Sequence, residues 1–242
     1  MSGKLDINRG SIVEQLLTLV FPERCLFCRT LLPYSEKGFL CPECGKGYTV
    51  TGSICPHCEQ QKHGHTACRC LPEGYPLKAL FALSFYEENW RTLLHDLKYH
   101  NRRSAARPLG RWLGREIKAG RFCSPDLVVP VPLHRRRLQE RGFNQSELIA
   151  RYIAKELERP QLNLLERVKE TRSQTTISRR QRRENMHRAF RLRIPPEQDQ
   201  KILLVDDIFS TGSTLTEAAS ILTGRGAIVY GTVVAYNRRF SL

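Results

Sequence analysis

Ile202 to Leu215 reads ILLVDDIFSTGSTL. Four aliphatic residues lead into two adjacent acids, then a short polar loop with one glycine, then the start of an apolar-periodic segment. That order describes a buried strand, a turn and a helix. Asp206 and Asp207 stand where the strand ends. Two carboxylates buried side by side repel each other and lose hydration, so the fold must bring them a partner that offsets both costs.

Three arrangements produce such a stretch. A receiver domain also ends an early strand on an acidic pair, but most of its fold must follow, and only 35 residues follow Asp207. A turn with a helix cap would use Ser210, Thr211 or Ser213 and leaves the two carboxylates unexplained. A phosphoribosyl site uses every residue. There the acids accept hydrogen bonds from the ribose 2′- and 3′-hydroxyls, and the hydroxyls and backbone N–H groups of Ser210, Thr211, Gly212, Ser213 and Thr214 cradle a 5′-phosphate at the helix start. Gly212 permits close backbone approach, and the helix dipole favours the anion. The third reading is the one adopted.

The rest of the chain is consistent with this domain class. Before the acidic pair, LFALSFY and DLVVPVP read as strands. WRTLLHDLKY, ARPLGRWLGREI and QSELIARYIAKEL read as helices, the last beginning near Asn144. After the pair, STLTEAASILTGRG reads as a helix closed by Gly224 or Gly226, and IVYGTVVAY as a final strand. The alternation predicts an α/β domain around a mostly parallel sheet flanked by helices.

With 242 residues, 40% of them hydrophobic and 26% charged, the chain is globular in composition and long enough for one or two domains. The apolar segment IVEQLLTLVF near the N-terminus is broken by Glu14 and Gln15 and is too short to span a bilayer. No signal peptide precedes it, so no membrane insertion and a cytoplasmic location are expected. The net charge of +15 is uneven. Residues 1–75 hold eight Lys+Arg against seven Asp+Glu, and the remainder holds 31 against 17. The excess of +14 lies with the α/β part and points to an anionic partner: phosphate, nucleotide or nucleic acid.

Eight of the nine cysteines lie between Cys25 and Cys70. Cys25 and Cys28 face Cys41 and Cys44 across twelve residues; Cys55 and Cys58 face Cys68 and Cys70 across nine. A Cys-x-x-Cys turn lets two thiolates converge on one ion, and a second pair completes a tetrahedral sulfur site. Two structural zinc ions are expected in a segment with too little aliphatic content to fold alone. His57, His63 and His65 lie near the second set and could replace one of its thiols. Cys123 reads as a lone thiol. The expected organisation is an N-terminal helix within 1–22, a double zinc ribbon over 23–75 and the α/β domain over 76–242.

The acidic stretch resembles the signature of type I phosphoribosyltransferases, matched here by Asp206, Asp207 and Thr211-Gly212-Ser213-Thr214. Together with VFPERCLFC, the cysteine pairs, HDLKYHNRR, VVPVPLHRRRLQERGFNQSELIA and QTTISRRQRRENMHRAF, it makes nearly the whole chain similar to the ComF family. That family joins a zinc ribbon to a phosphoribosyltransferase-like domain, and members of its competence branch serve natural transformation. The resemblance implies a site for phosphoribosyl pyrophosphate with Mg²⁺, in which Asp206 and Asp207 hold the ribose and are the residues of any catalysis. It also implies a role in DNA uptake, with single-stranded DNA and other uptake proteins such as a helicase as partners. A transferase acting on a small acceptor, and a ligand sensor, are the alternative readings.

By position, the loop VVPVPLHRRR matches the pyrophosphate loop of that superfamily, with His134 and Arg135 as anion contacts. Asn144 caps the helix that follows, and Arg141 is a further phosphate contact. The stretch containing Arg179, Arg180, Arg182 and Arg183 matches the flexible loop that closes over substrate. It has seven Arg and one Glu between Ser178 and Arg193. Such a segment repels itself until an anion binds.

Overall fold

A computed structural model of the chain describes residues 23–32, 39–46, 48–61, 68–120, 122–170 and 188–237. The expected N-terminal helix, His63, His65 and the loop arginines 179, 180, 182 and 183 lie outside them. The chain divides into two compact units, Met1–Tyr48 and Thr49–Leu242.

In the first unit a tight knuckle carries Cys25 and Cys28. The Cys25 N–H donates to Thr30 O at 2.9 Å and the Arg29 N–H to Cys25 O at 3.0 Å. Arg29 takes a left-handed backbone, φ 64°. Cys41 caps and Cys44 lies within the short helix α1 (Pro42–Gly45), whose proline at the first position needs no N–H partner.

The second unit repeats that knuckle at Cys55 and Cys58. The Cys55 N–H donates to Gln60 O and the Glu59 N–H to Cys55 O, both at 2.9 Å. Glu59 takes the same left-handed backbone, also φ 64°. The knuckle grows out of strand β1 (Gly52–Ile54), which pairs antiparallel with β2 (Leu80–Phe85), Ile54 opposite Leu80. Composition changes near Gly74–Pro76, but hydrogen bonding joins the second cysteine set to the α/β body through β1, so the two sets fall in different units.

The body is a five-stranded sheet in the order β1–β2–β7–β6–β3, with β3 (Leu127–Pro130), β6 (Lys201–Phe209) and β7 (Ile228–Tyr236). The β2–β7, β7–β6 and β6–β3 pairs are parallel. Both faces are covered, so the strands are continuous apolar runs rather than alternating ones: in β6, Ile202, Leu203, Leu204 and Val205 are all fully buried. Helices α2 (Glu88–Tyr99), α3 (Ala106–Ala119), α4 (Arg135–Arg141), α5 (Gln145–Leu157) and α6 (Ser213–Thr223) connect the strands. The α/β class with a mostly parallel, helix-flanked sheet is therefore the fold. A separate hairpin, β4 (Leu165–Arg167) with β5 (Phe190–Leu192), brackets the arginine-rich stretch. No described helix is long and apolar enough to cross a membrane.

Helix α3 lies directly on α5. A Cβ at Gly110 would stand 2.5 Å from Ile149 O, and one at Gly114 would stand 2.6 Å from Glu156 Cβ. Alanine would gain up to about 1 kcal/mol in helix propensity at either position. Backbone clash at Gly110 outweighs that, because the obstructing atom is a carbonyl in a packed helix. Gly110→Ala is expected to destabilise the protein by about 1–3 kcal/mol in urea titration, whereas the same change on an exposed helical face would stabilise it.

Candidate functional site

Strand β3 stops at Pro130, opposite Val205 of β6. Pro130 and Pro132 lack the N–H groups needed to continue a ladder, and the Val131 N–H closes it on Val205 O at 2.9 Å. From Asp206 onward β6 therefore has no described strand on that side, and the N-terminus of α5 fills the place. Asn144 caps α5: its Oδ1 accepts from the Ser146 N–H at 3.1 Å while its Nδ2 donates to Val131 O at 2.9 Å. The cap locks the helix to the end of β3 and aims its first two side chains at the acids. Gln145 Nε2 donates to Asp207 Oδ1 at 3.1 Å, and Ser146 Oγ donates to Asp206 Oδ1 at 3.0 Å.

Asp206 and Asp207 are 8% and 4% exposed. Their charge partner is Lys98, in the last turn of α2, whose ammonium forms an ion pair with Asp207 Oδ2. Burial alone would raise the Asp207 carboxyl, but the Lys98 charge and hydrogen bond outweigh it and hold the group below the usual carboxylate range. Burial likewise pulls the Lys98 ammonium down, and Asp207 more than compensates. Asp206 has no direct ion pair among the described residues. Burial, then the neighbouring Asp207 charge, pushes it up to about 7. Two adjacent carboxyls thus occupy opposite protonation regimes.

Beyond the acids, Gly212 has φ 73° and caps α6, whose first residue is Ser213. A Cβ there would stand 2.6 Å from Phe209 Cζ, so both the backbone and the packing require glycine. Thr211 Oγ1 and Ser213 Oγ share a hydrogen bond at 2.8 Å across the turn. Ser210 to Thr214 are thereby gathered at the N-terminus of an eleven-residue helix, next to the acids on the same strand.

Lys98, the partner of Asp207, also lines a cavity of about 560 Å³ together with Tyr99, Arg103, Arg137, Arg141 and Phe143, among others. Arg141 donates to Gln145 Oε1 at 2.5 Å, and its guanidinium stands 5.2 Å from the Tyr99 ring. Burial lowers Arg141 below the ordinary arginine value. Arg103 covers the Phe143 ring at 4.5 Å. Of the loop residues read as anion contacts, Arg141 lies in this cavity. His134 is the N-cap of α4, its Nδ1 accepting from the Arg136 N–H at 3.4 Å, and Arg135 is exposed at the helix start. Neither lines the cavity; Arg137, further along the helix, does. Lys98, Arg103, Arg137, Gln145 and Ser146 were not singled out from sequence. Arg167 also belongs near the acids: burial lowers its basicity and the Asp206 charge opposes that.

In each unit four thiols converge: Cys25, Cys28, Cys41 and Cys44 in one, and Cys55, Cys58, Cys68 and Cys70 in the other. Sγ–Sγ separations are 3.6 Å for Cys28–Cys41, 3.3 Å for Cys55–Cys70 and 3.8 Å for Cys58–Cys68. Tetrahedral zinc with Zn–S bonds of about 2.3 Å sets sulfurs about 3.8 Å apart, so both sets fit structural zinc. His57 stays outside its cluster, packed edge-on against Tyr75 at 5.9 Å. Cys123 is a lone thiol, pushed up to about 12 by burial.

Residues 144–241 match the phosphoribosyl transferase domain and residues 16–72 the double zinc ribbon domain. The chain is 34% identical over 216 residues to the DNA utilization protein YhgH of Escherichia coli K12, covering 86% of this chain and 94% of that one. It is 31% identical to competence protein F of Haemophilus influenzae, over 85% of this chain and 93% of that one. To competence protein ComFC of Bacillus subtilis it is 28% identical, over 84% and 83%.

The Lys98–Asp207 pair is open to direct test. Replacing Lys98 by Met leaves a buried carboxylate without its cation, which costs about 3–5 kcal/mol. In the wild type Asp207 is held low, so its contribution is present above the unfolded carboxylate pKa and lost only on acidification. In Lys98→Met burial is opposed only by the remaining hydrogen bonds, chiefly that from Gln145, so Asp207 rises and the deficit grows as pH rises from 5 to 8. Urea titrations at several pH values measure this, and Lys98→Met with Asp207→Asn should recover most of the loss.

Proposed function

The chain belongs to the ComF family, and on that premise we propose that it binds phosphoribosyl pyrophosphate with Mg²⁺ and serves natural transformation in the cytoplasm. The observation that carries the ligand is the joint placement of Asp206 and Asp207 with the Ser210–Thr214 turn on one strand end. The acids accept from the ribose hydroxyls. The turn and the N-terminus of α6 take the 5′-phosphate. Arg141 and Arg137, with the arginines 179, 180, 182 and 183 of the segment between β4 and β5, meet the pyrophosphate. His134 and Arg135 flank that pole as outer anion contacts. Mg²⁺ bound with the ligand would supply positive charge to its pyrophosphate, and Asp206 and Asp207 are the carboxylates of this chain that would stand nearest to it.

The +14 excess over residues 76–242 supports contact with single-stranded DNA, as do the names of the relatives, competence proteins and a DNA utilization protein. Other DNA-uptake proteins, a helicase among them, are the partners this role calls for. In this reading the double ribbon over 23–75 serves as scaffold and the phosphoribosyltransferase-like domain over 76–242 as ligand site, the second cysteine set being joined to the latter through β1.

A second reading, an active transferase, is favoured by the cavity that Lys98 lines. Its volume of about 560 Å³ exceeds what a pyrophosphate group fills, leaving room for an acceptor. In that reaction the bond from ribose C1 to pyrophosphate breaks and a bond from C1 to the acceptor forms. The departing charge is met by arginines, and Asp206 and Asp207 steady the ribose.

Calorimetric titration with phosphoribosyl pyrophosphate tests the first reading. Binding is expected with Mg²⁺ and to be lost in Asp206→Asn with Asp207→Asn, while zinc content and fold persist. Unaltered binding by the double variant would refute the site. Pyrophosphate release in the presence of candidate acceptors tests the second. Contact with the phosphates of single-stranded DNA should weaken steeply between about 50 and about 200 mM salt, on the order of three-hundredfold for six contacts.

A further inference from the structure

The second cysteine knuckle reaches the anion-binding turn through three side chains. Glu59 follows Cys58 directly, and its left-handed backbone, φ 64°, is set by the knuckle. Its carboxylate accepts a hydrogen bond from the Tyr236 hydroxyl, 177 residues away at the last position of β7. Tyr236 is 1% exposed. Its ring centroid stands 5.9 Å from that of Phe209. The Phe209 ring in turn lies against Gly212 so closely that no Cβ fits between them. The backbone closes the same connection, since the Asn237 N–H donates to Phe209 O at 2.8 Å.

Each joint is specific for a reason. A buried phenol needs an acceptor, and here the acceptor comes from a residue whose direction depends on the metal-binding turn. The knuckle itself is fastened to the sheet by β1 and by the Tyr75 hydroxyl donating to Pro56 O at 3.3 Å. Without metal, the four thiols no longer define that turn, and the position of Glu59 is released. Gly212 has the opposite dependence: it carries no side chain of its own, so the Phe209 ring fixes where the turn sits.

We infer that Glu59, Tyr236 and Phe209 are positioning residues for the phosphate-binding turn, and that the metal site of Cys55, Cys58, Cys68 and Cys70 sets ligand affinity through them. This rests on the ligand reading given above. The whole zinc-loaded chain is titrated with phosphoribosyl pyrophosphate and Mg²⁺. If the wild type does not bind, the ligand reading fails first and is seen to fail by itself.

Given wild-type binding, Tyr236→Phe and Glu59→Ala should each weaken affinity roughly three- to tenfold, the effect of one lost hydrogen bond. Glu59→Gln keeps an acceptor and should stay within about twofold. Zinc content is measured throughout and should be unchanged in these three. Cys68→Ser with Cys70→Ser should lose one zinc and weaken binding as much or more. Cys25→Ser with Cys28→Ser, the control for general zinc loss, should leave affinity within about twofold. Wild-type affinity in both Tyr236→Phe and Glu59→Ala overturns the inference, as does equal weakening by the two cysteine pairs. Should the Cys68/Cys70 variant fail to fold, the three point variants decide the matter, because a purely structural contact lowers melting temperature without moving affinity.

Discussion

A strand that carries two adjacent buried carboxylates in the last part of its ladder, before it closes at Phe209, makes demands on the rest of the domain, and the ion pair between Lys98 and Asp207 is where they are met. In an interior of low effective dielectric an uncompensated carboxylate is costly, and two adjacent ones are worse. The compensation comes from three directions. Helix α2 must be long enough to deliver Lys98 in its last turn. Strand β3 must stop at Pro130 so that a helix end can approach. Helix α5 must begin where Gln145 and Ser146 reach the acids. Moving any of these elements by one residue would leave a carboxylate without its partner.

Much of this is legible in the sequence. The strand, the acids, the turn and the following helix occur in the order in which the chain uses them, and Asn144 announces the start of α5. Continuous apolar runs for the strands and period-3.6 patterns for the helices suffice for such elements, because burial is a local property of the pattern. Lys98 is not legible. In HDLKYH it looks like the basic residue that ends many helices, placed to interact with the dipole. Nothing within its own helix shows that a carboxylate arriving 109 residues later will bury it.

The arginines of VVPVPLHRRR illustrate the same limit. Position in the motif favours Arg135. Three consecutive arginines on a helix, however, point in three directions about 100° apart, and it is Arg137 that faces the cavity. The cysteine segment differs in kind. Ligand spacing specifies both tetrahedral sites, because the chemistry is written in four residues each. The attachment of the second site to the sheet depends on the pairing of β1 with β2, and a three-residue strand carries too little pattern to be read alone.

The unequal ionisation of the two acids bears on what the site can do. Asp207 is fully charged at neutral pH and neutralised by Lys98, so it presents an acceptor of fixed charge and fixed direction. Asp206, raised by burial and by the neighbouring Asp207 charge, takes up a proton far more readily than its neighbour. A protonated Asp206 can donate where the carboxylate only accepts. An incoming diol with a divalent cation would draw it fully into the carboxylate form, because the cation supplies the charge that Lys98 gives Asp207. On the function proposed above, such binding would take up the desolvation cost that the folded protein meets by protonation. The adjacency that looks unfavourable in the bare sequence thus divides the work: Asp207, paired with Lys98, fixes the strand to α2, and Asp206, without an ion pair among the described residues, is the carboxyl whose protonation can respond to what approaches it.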